Sequence, residues 1–335
     1  MITAIGDIHF GKLDKLFPKA TEFQAETLRA VVRRAKSRRS KALVFLGDVF
    51  DVPNPDQRLI TALLDVLSDC GDIPVFMIPG NHDRVAVTDN SLHVMGWLFN
   101  RGNIKGQVFS DPELHKIDGG RYWFCPHPHV VDQPSSATLS FGHFPWTGAR
   151  HDNGAPAKEG STPKGTWILG DFHTPQEGPR FRYAGSLTQL SFGEAPGKRV
   201  LEIDGDKVTA VPVKPMYVLL TVRIKDISEL RKLRPNLHPK HTYFSVVHDA
   251  GVKIPPRVWE DCPNILRVRL ERARAKTANK PGFALIGSPD AMTSPLAGLP
   301  EHLRGGRLSE RQVNVAINAA KAIARPAAFL QRGKG

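Results

Sequence analysis

The sequence predicts an α/β fold, and two observations carry this prediction. Up to about residue 200, short apolar runs rich in β-branched residues alternate with amphipathic stretches, and the stretch from Thr21 to Arg38 repeats apolar side chains at helical spacing. Several apolar runs end in a glycine followed by an acid, a histidine or an asparagine, which is typical of strand ends that bind ligands. The predicted strands are Thr3 to Ile5, Ala42 to Leu46, Val75 to Ile78, Trp123 to Cys125, Thr138 to Phe141 and Thr166 to Leu169.

The pattern changes beyond Pro212, where we predict a second, smaller α+β domain. We therefore divide the chain into residues 1–212, 213–275 and 276–335. The elements predicted in the second part are strands from Tyr217 to Ile224, Thr242 to Val247 and Ile265 to Leu270, and a short helix from Ile227 to Leu233.

The last part of the chain combines a predicted linker with one predicted helix. From Ala275 to Gly306, glycine, proline, alanine and serine accumulate without clear periodicity, which predicts a linker or an extended arm. The segment from Ser309 to Arg325 begins with a residue suited to an N-cap, and Pro326 follows as a stop. This helix packs on its own domain or docks on a partner, and the sequence leaves both open.

The charge of the chain indicates the class of partner. There are 46 Lys and Arg against 33 Asp and Glu, a formal net charge of +13. From Pro263 to the end, thirteen basic residues stand against four acidic ones, so the C-terminal fifth is strongly basic. A general solubility charge is the alternative, but this placement favours a polyanionic partner such as DNA.

The sequence predicts neither a membrane span nor a disulfide framework. No apolar run approaches the ~20 residues of a transmembrane helix, and the N-terminus lacks the basic leader of a signal peptide. The cysteines at positions 70, 125 and 262 form no CxxC pair, so we expect reduced thiols. These features predict a cytoplasmic protein.

Five motifs at predicted strand ends carry the chemistry. Residues i and i+2 of an extended segment point the same way, so Asp7 and His9 can hold one cation together. Asp48 has two carboxylate oxygens and can bridge two cations. One such motif has an ordinary explanation as a turn, but five in this order predict a metal site at the edge of a sheet. The motifs are Asp7-Ile8-His9, Gly47-Asp48, Gly80-Asn81-His82-Asp83, Gly142-His143 and Gly170-Asp171-Phe172-His173.

This series of motifs resembles the calcineurin-like metallophosphoesterase superfamily. Within it, the run from Gly185 to Glu194 is similar to the segment that closes the nuclease domain in the SbcD family, the nuclease subunits of the SbcCD DNA-break-processing complex. The resemblance covers roughly residues 1–200, and the following small domain resembles the DNA-facing cap of that family in placement and element order. It implies a four-layer α/β/β/α sandwich with two metals at one sheet edge, a smaller cap domain and, in this chain, a basic C-terminal tail.

The resemblance also implies a ligand set and a mechanism. Two divalent cations are expected, most often Mn²⁺, with Mg²⁺ as the alternative. A hydroxide between them attacks phosphorus, His82 donates a proton to the departing oxygen, and Asp83 orients His82. One cation is assigned to Asp7, His9, Asp48 and His173, and the other to Asp48, Asn81, His143 and Asp171.

Two residues depart from the family pattern. Many relatives carry a histidine at the position of Asp171, so two cations, three carboxylates and one hydroxide sum to zero here rather than to +1. We expect this change to favour Mn²⁺ or Mg²⁺ over Zn²⁺ and to weaken the attraction of a phosphodiester. Asp51 stands where some family nucleases have a second catalytic histidine, and among the candidate catalytic residues we expect it to act behind the ligands rather than in proton transfer.

Other basic residues are candidates for DNA contacts. Arg84 follows the Asn-His-Asp run and either clamps a phosphate or forms a surface salt bridge, and Arg182 precedes the Ala184-Gly185-Ser186 turn. Four arginines alternate along a strand-like run and can face a nucleic-acid backbone: Arg267, Arg269, Arg272 and Arg274. His127-Pro128-His129 belongs to none of the family motifs, and we predict a surface loop there.

Together these features favour a metal-dependent DNA nuclease, an exonuclease or an endonuclease, that acts in DNA repair, replication or degradation. A small-substrate phosphatase or nucleotide pyrophosphohydrolase of the same superfamily is the alternative, because it would share every ligand. A DNA-binding or scaffold protein with an impaired metal site is the third hypothesis. The expected partners are DNA, an SbcC-like ATPase subunit and a second copy of the chain, without a membrane. Strand polarity, strand preference and the physiological metal are left open.

Overall fold

A computed structural model of the chain describes residues 1–86, 89–102, 104–151, 154–157, 159–234, 241–248, 251–255 and 257–270. All of them belong to one compact unit, Met1–Arg272. The linker and helix predicted between residues 276 and 335, and the arginines at positions 272 and 274, lie outside these ranges. The division of the chain at residue 212 stays a prediction. Within the described ranges, every helix is too short or too polar to cross a membrane.

Regular structure in the described residues consists of seventeen strands, four α-helices and one 3₁₀ helix. The helices are α1 (Ala20–Ser37), α2 (Gln57–Ser68), α3 (His93–Asn100) and α4 (Val258–Asp261), and the 3₁₀ helix spans Ile227–Leu233. The strands are β1 (Ile2–Ile5), β2 (Ala42–Phe45), β3 (Val75–Met77), β4 (Arg84–Ala86), β5 (Asp89–Asn90), β6 (Gly106–Val108), β7 (Glu113–Ile117), β8 (Gly120–Cys125), β9 (Leu139–His143), β10 (Trp167–Gly170), β11 (Gln176–Glu177), β12 (Phe181–Tyr183), β13 (Lys198–Asp204), β14 (Lys207–Val213), β15 (Val218–Ile224), β16 (Thr242–His248) and β17 (Ile265–Leu270).

The first sheet has the order β14-β13-β1-β2-β3-β6. Strands β1, β2, β3 and β6 run parallel, which explains the continuous apolar sequence of β2, since parallel strands are buried on both faces. Side chains alternate between the faces: Leu43 and Phe45 pack on the helices, whereas Ala42 and Val44 pack toward the second sheet. The helix side is closed by apolar residues of α1, α2 and α3, among them Val32, a member of the periodic set in the predicted helix.

The second sheet has the order β11-β12-β10-β9-β8-β7 and packs on the first through aromatic side chains. Phe109 stacks on Phe124 with 4.0 Å between ring centroids, and Phe141 lies 5.1 Å from Phe124. Strands β8, β9 and β10 run parallel, so their carboxyl ends reach the same edge. The two-sheet α/β sandwich expected from the sequence is confirmed.

The layer outside the second sheet differs from a helical fourth layer. Between β9 and β10, the described residues form irregular structure with isolated bridges, such as Trp146 to Ser161, and no helix. Apolar side chains from this segment, including Phe144 and Trp146, cover Trp167 and Leu169. The segment is rich in glycine and proline, which disfavour a helix, so burial is achieved by packing without regular hydrogen bonding.

A three-stranded parallel sheet, β15-β16-β17, follows the sandwich and has its own apolar cluster. Its strands and its 3₁₀ helix begin and end within one residue of the predicted positions. It also contacts the segment that follows β1: Phe17 stacks on Tyr243 with 4.6 Å between centroids and lies edge-on to Tyr217 at 5.3 Å. The segment after the first metal motif is therefore held against this sheet.

The core between the two sheets yields a stability prediction. Leu139 on β9 is 1% exposed, whereas Leu114 on the edge strand β7 is 37% exposed. We expect Leu139→Ala to lower the free energy of unfolding by about 2–5 kcal/mol, because it leaves a cavity in a packed core. Leu114→Ala should cost less than about 1 kcal/mol. Urea unfolding followed by circular dichroism checks both, and equal losses would contradict this description of the core.

Candidate metal centre

Strand ends from both sheets meet at the candidate site. Asp7 is the second residue after β1, Asp48 is the third residue after β2, His143 ends β9 and Asp171 directly follows β10. The loops approach so closely that a side chain at Gly80 would overlap the carboxylate and backbone of Asp48. This explains why a glycine stands there.

The first group of ligand atoms comprises Asp7, His9 and His173, with Asp48 beside it. His9 Nε2 lies 3.3 Å from His173 Nε2 and 3.3 Å from Asp48 Oδ2. His9 has a positive φ of 51°, which turns its ring toward these partners. Burial lowers the pKa of His9, but the carboxylates of Asp48 and Asp51 outweigh this effect and raise the pKa above its usual value.

The second group comprises Asp7, Asp48 and His143, and Asn81 faces it. His143 Nε2 lies 2.9 Å from Asn81 Oδ1 and 3.5 Å from Asp48 Oδ1. His143 Nδ1 lies 2.7 Å from the carbonyl oxygen of Leu46, so this nitrogen carries the proton in the neutral ring. Burial lowers the pKa of His143, but the nearby carboxylates, Asp48 above all, outweigh burial and raise the pKa to about 9.

Asp48 contacts histidines of both groups, although Asp7 is the residue that the two groups share. Its Oδ2 faces His9 and its Oδ1 faces His143 and accepts a hydrogen bond of 2.9 Å from the backbone N–H of His82. Burial raises the pKa of this carboxyl, but His143 and His9 outweigh burial and hold the pKa well below its usual range. The side chain is therefore a carboxylate that directs one oxygen at each group.

The residues present fit divalent cations. Asp7 Oδ2 is buried and has no hydrogen-bond partner among the described residues, which is costly unless a cation or a proton satisfies it. His9 and His173 direct ring nitrogens at each other, and His143 directs one at the oxygen of Asn81. Acceptors that face each other at such distances repel unless positive charge lies between them. The donors are imidazole nitrogens together with carboxylate and amide oxygens, a mixed set that divalent transition metals accept.

Asp171 stands at the rim of the second group. Its Oδ1 lies 3.9 Å from His143 Nε2, and its backbone N–H donates a hydrogen bond of 2.9 Å to Asp7 Oδ1. Its φ of +100° is a rare conformation for a residue with a side chain. Burial raises the pKa of this carboxyl, and burial together with the carboxylates of Asp7 and Asp48 outweighs the lowering by His143 and His173. Its role as a ligand stays a prediction.

The candidate catalytic residues are arranged differently from the expectation. His82 Nδ1 lies 2.9 Å from the backbone oxygen of Asp51, so Asp51, not Asp83, orients the ring. The prediction that Asp83 holds His82 is wrong, because the Asp83 carboxylate is fully buried and turned toward other donors. It accepts hydrogen bonds from the backbone N–H groups of Val49, Phe50 and Gly80 and from the Ser91 hydroxyl. Asp83 instead ties together the two loops that carry Asp48 and Asn81.

A layer of polar groups supports the candidate ligands from behind. Asp51 Oδ1 lies 3.0 Å from His9 Nδ1 and accepts from Lys12, in agreement with the expected place behind the ligands. Glu194 Oε1 lies 3.3 Å from His173 Nδ1. We did not predict this contact, although Glu194 ends the run singled out in the sequence. The signal available in the sequence was that Glu194 is the only charged residue of that run.

The other sequence candidates lie apart from the ligand groups or on their border. Arg84 donates to the carbonyl oxygen of Ser110, Arg182 lies 3.7 Å from Glu177, and Arg267 and Arg269 are exposed on β17. The segment predicted as a surface loop around Pro128 is a turn in which Pro128 is exposed, and His127 is partly buried with its ring 6.4 Å from that of His143. A cavity of about 310 Å³ opens beside the site, lined by Pro145, His151, Asp171, Phe172 and His173.

Comparisons with known proteins identify a family and several similar proteins. Residues 1–189 match the family model described as Calcineurin-like phosphoesterase. The SbcD subunit of nuclease SbcCD from Staphylococcus saprophyticus subsp. saprophyticus is 24% identical over 280 residues, which covers 68% of this chain and 74% of the relative. The SbcD subunit of nuclease SbcCD from Bacillus subtilis (strain 168) is 32% identical over 102 residues, 27% of this chain and 26% of that protein. The crystal structure of TT1561 of Thermus thermophilus aligns with a TM-score of 0.39 and 14% identity over 64% of this chain and 98% of its own.

The matched family region contains all five strand-end motifs and most of the two-sheet sandwich. It also covers more than half of the 335 residues. This chain therefore belongs to the calcineurin-like phosphoesterase family and is a metallophosphoesterase hydrolase.

Proposed function

We propose that this protein is a DNA nuclease that hydrolyses phosphodiester bonds at a centre of two divalent cations. The expected metal is Mn²⁺. The observation that carries the proposal is the pair of ligand groups that share Asp7 and are bridged by contacts of Asp48, at the meeting point of strand ends from both sheets. Two cations a few ångströms apart can clamp one phosphoryl group, which is the requirement for in-line displacement.

Similarity beyond the family region supports DNA as the substrate. The alignment with the Staphylococcus relative covers 68% of this chain, about 228 residues, which exceeds the 189 residues matched by the family model. The similarity to a protein named as a nuclease subunit therefore extends outside the shared phosphoesterase region. The exposed Arg267 and Arg269 on β17 and the basic C-terminal fifth add positive charge suited to a polyanion.

Side chains of this protein account for binding and proton transfer in the proposed reaction. Asp7, His9, Asp48 and His173 would hold one cation, and Asp48, Asn81, His143 and Asp171 the other. When bound, the cations supply charge neutralisation at the phosphoryl oxygens and activation of water. His82 is 39% exposed, and its contact with the Asp51 carbonyl places a proton on Nδ1, so Nε2 is the atom that exchanges a proton with the departing oxygen.

The rival functions make different demands. A small-substrate phosphatase or nucleotide pyrophosphohydrolase would use the same ligands but needs no exposed arginine strand. A scaffold with an impaired metal site is disfavoured by the buried, partnerless Asp7 Oδ2 among the described residues, since a decayed site has no reason to keep that cost. As partners we propose DNA and an SbcC-like ATPase, because both relatives are named as one subunit of the nuclease SbcCD.

The first prediction concerns His82. We expect the wild-type protein with Mn²⁺ to degrade end-labelled linear DNA, and His82→Ala to slow this about 10²- to 10⁴-fold, because proton transfer to the departing oxygen is lost. His93→Ala is the matched control, since His93 is 54% exposed and pairs with Asp89 on the surface. Turnover of a phosphomonoester while DNA stays intact would overturn the nuclease in favour of the phosphatase.

The second prediction concerns Asp171. Glycine tolerates the φ of +100° at this position, so Asp171→Gly removes the carboxylate without adding backbone strain. We expect calorimetric titration with Mn²⁺ to show two binding sites in the wild type and one in the variant, with activity lost. Asp72→Ala, at a carboxylate that is 96% exposed, is the control. Two bound cations and full activity in Asp171→Gly would show that Asp171 is no ligand.

The third prediction concerns the arginine strand. If Arg267 and Arg269 each contact one phosphate, the double variant Arg267→Gln/Arg269→Gln should reduce the slope of log affinity against log salt by about 2, close to 0.9 for each contact. Fluorescence anisotropy with a labelled duplex at several salt concentrations measures the slope. The control Arg33→Gln/Arg38→Gln changes the net charge equally on exposed positions at α1. An equal change in both double variants would argue against contacts on β17.

A further inference from the structure

A buried ion pair lies directly behind the candidate ligand His173. Glu194 and Lys198 are joined by a contact of 2.7 Å, and their side chains are 2% and 1% exposed. The other oxygen of Glu194, Oε1, lies 3.3 Å from His173 Nδ1. Burying two charges is expensive, and an apolar pair of the same volume would often be at least as stable. The position of the pair therefore calls for a reason beyond stability.

The two oxygens of Glu194 have different surroundings. Oε2 accepts from the Lys198 ammonium at 2.7 Å and from the Leu190 backbone N–H at 3.1 Å, and the Ser186 hydroxyl lies 3.0 Å away. Oε1 faces the imidazole. Because two donors fix Oε2, the other oxygen is always presented to His173 Nδ1 as an acceptor.

The same cluster also holds the backbone of His173. Its carbonyl oxygen accepts from the backbone N–H of Ser186 at 3.1 Å and lies 3.4 Å from Lys198 Nζ. Ring and backbone are thus tied to one group of side chains, which leaves little freedom for the direction of Nε2. That nitrogen lies 3.3 Å from His9 Nε2 in the first ligand group.

We propose that Glu194 and Lys198 are positioning residues that keep the proton of His173 on Nδ1 and the lone pair of Nε2 directed at the first cation. An acceptor at Nδ1 selects this tautomer, since a neutral imidazole carries one proton. Lys198 keeps Glu194 ionised and in place without adding net charge behind the centre. The inference rests on the ligand set of the proposed function but not on DNA as the substrate.

The substitution Glu194→Gln tests this idea because the side chain keeps nearly the same shape, while one acceptor oxygen is replaced by an NH₂ donor. The amide oxygen must turn toward the fixed donors, Lys198 and Leu190, so the NH₂ group points at His173 Nδ1. The ring then keeps its proton on Nε2, which blocks coordination. We expect affinity for one of two Mn²⁺ ions to fall about 10- to 100-fold in calorimetric titration.

The double variant Glu194→Gln/Lys198→Met separates positioning from stability. In Glu194→Gln the ammonium is left buried without a counter-charge, so we expect a lower Tm, and removal of that charge in the double variant should raise the Tm again. The amide oxygen still faces the Leu190 N–H, so the metal affinity should stay low. Long-range ¹H–¹⁵N NMR of the metal-free protein should show the proton on Nδ1 of His173 in the wild type and on Nε2 in both variants.

Matched controls and contrary outcomes are available. Glu202 is another buried carboxylate in an ion pair, 2.8 Å from Arg34, and Glu202→Gln should leave the metal affinity unchanged. Recovery of both Tm and metal affinity in the double variant, or the same His173 tautomer in all three proteins, would overturn the proposal and leave a structural role. These measurements use no DNA and are therefore independent of the nuclease assay. If the wild type binds two cations but does not degrade DNA in that assay, the proposed substrate is wrong and this inference still stands.

Discussion

The candidate site depends on one constraint: buried hydrogen-bond acceptors are crowded at the strand ends, and positive charge is needed to stabilise them. Asp7 Oδ2 is buried without a partner in the described part of the chain, and ring nitrogens of His9 and His173 face each other at 3.3 Å. Without positive charge, the acceptor atoms of this cluster repel one another. The negative charge of the nearby carboxylates, Asp48 above all, also raises the pKa of His143 to about 9, although burial lowers it. Divalent cations bound at the edge where the two sheets meet would relieve this repulsion and would supply the Lewis acid for hydrolysis.

Each of three candidate histidine ligands has a different partner at Nδ1: a carboxylate for His9, a backbone carbonyl for His143 and a second carboxylate for His173. All three partners are acceptors, and all therefore select the tautomer that presents Nε2. The partners come from distant parts of the chain, including the loop after β2 and the turn before β13. Folding of the whole sandwich is thus required before any ligand has its working tautomer.

Several features were predictable because they depend on local pattern. Apolar runs followed by Gly-Asp or Gly-His identified strand ends, and the parallel order of strands brought Asp7, Asp48 and His143 together as expected. Helix α2, with Asp56 as its N-cap, and the antiparallel pair of β13 and β14 were not predicted. Helix α2 buries a regular apolar stripe of Leu59, Leu63, Val66 and Leu67, so the signal for it was available in the sequence, whereas β14 is mostly exposed because it lies at the edge of the sheet.

By itself the sequence determined the α/β class, the five motifs and the residues able to bind metals, since these follow from short-range periodicity and from side-chain chemistry. Only the tertiary structure decided which groups stand behind those residues. Asp83 was expected beside His82 because the two are adjacent in sequence, yet its carboxylate turns inward to backbone N–H groups and the Asp51 carbonyl takes its place. Glu194 reaches His173 from 21 positions away. The physical reason is that a hydrogen bond requires proximity and direction, and both are set by how distant loops pack rather than by sequence spacing.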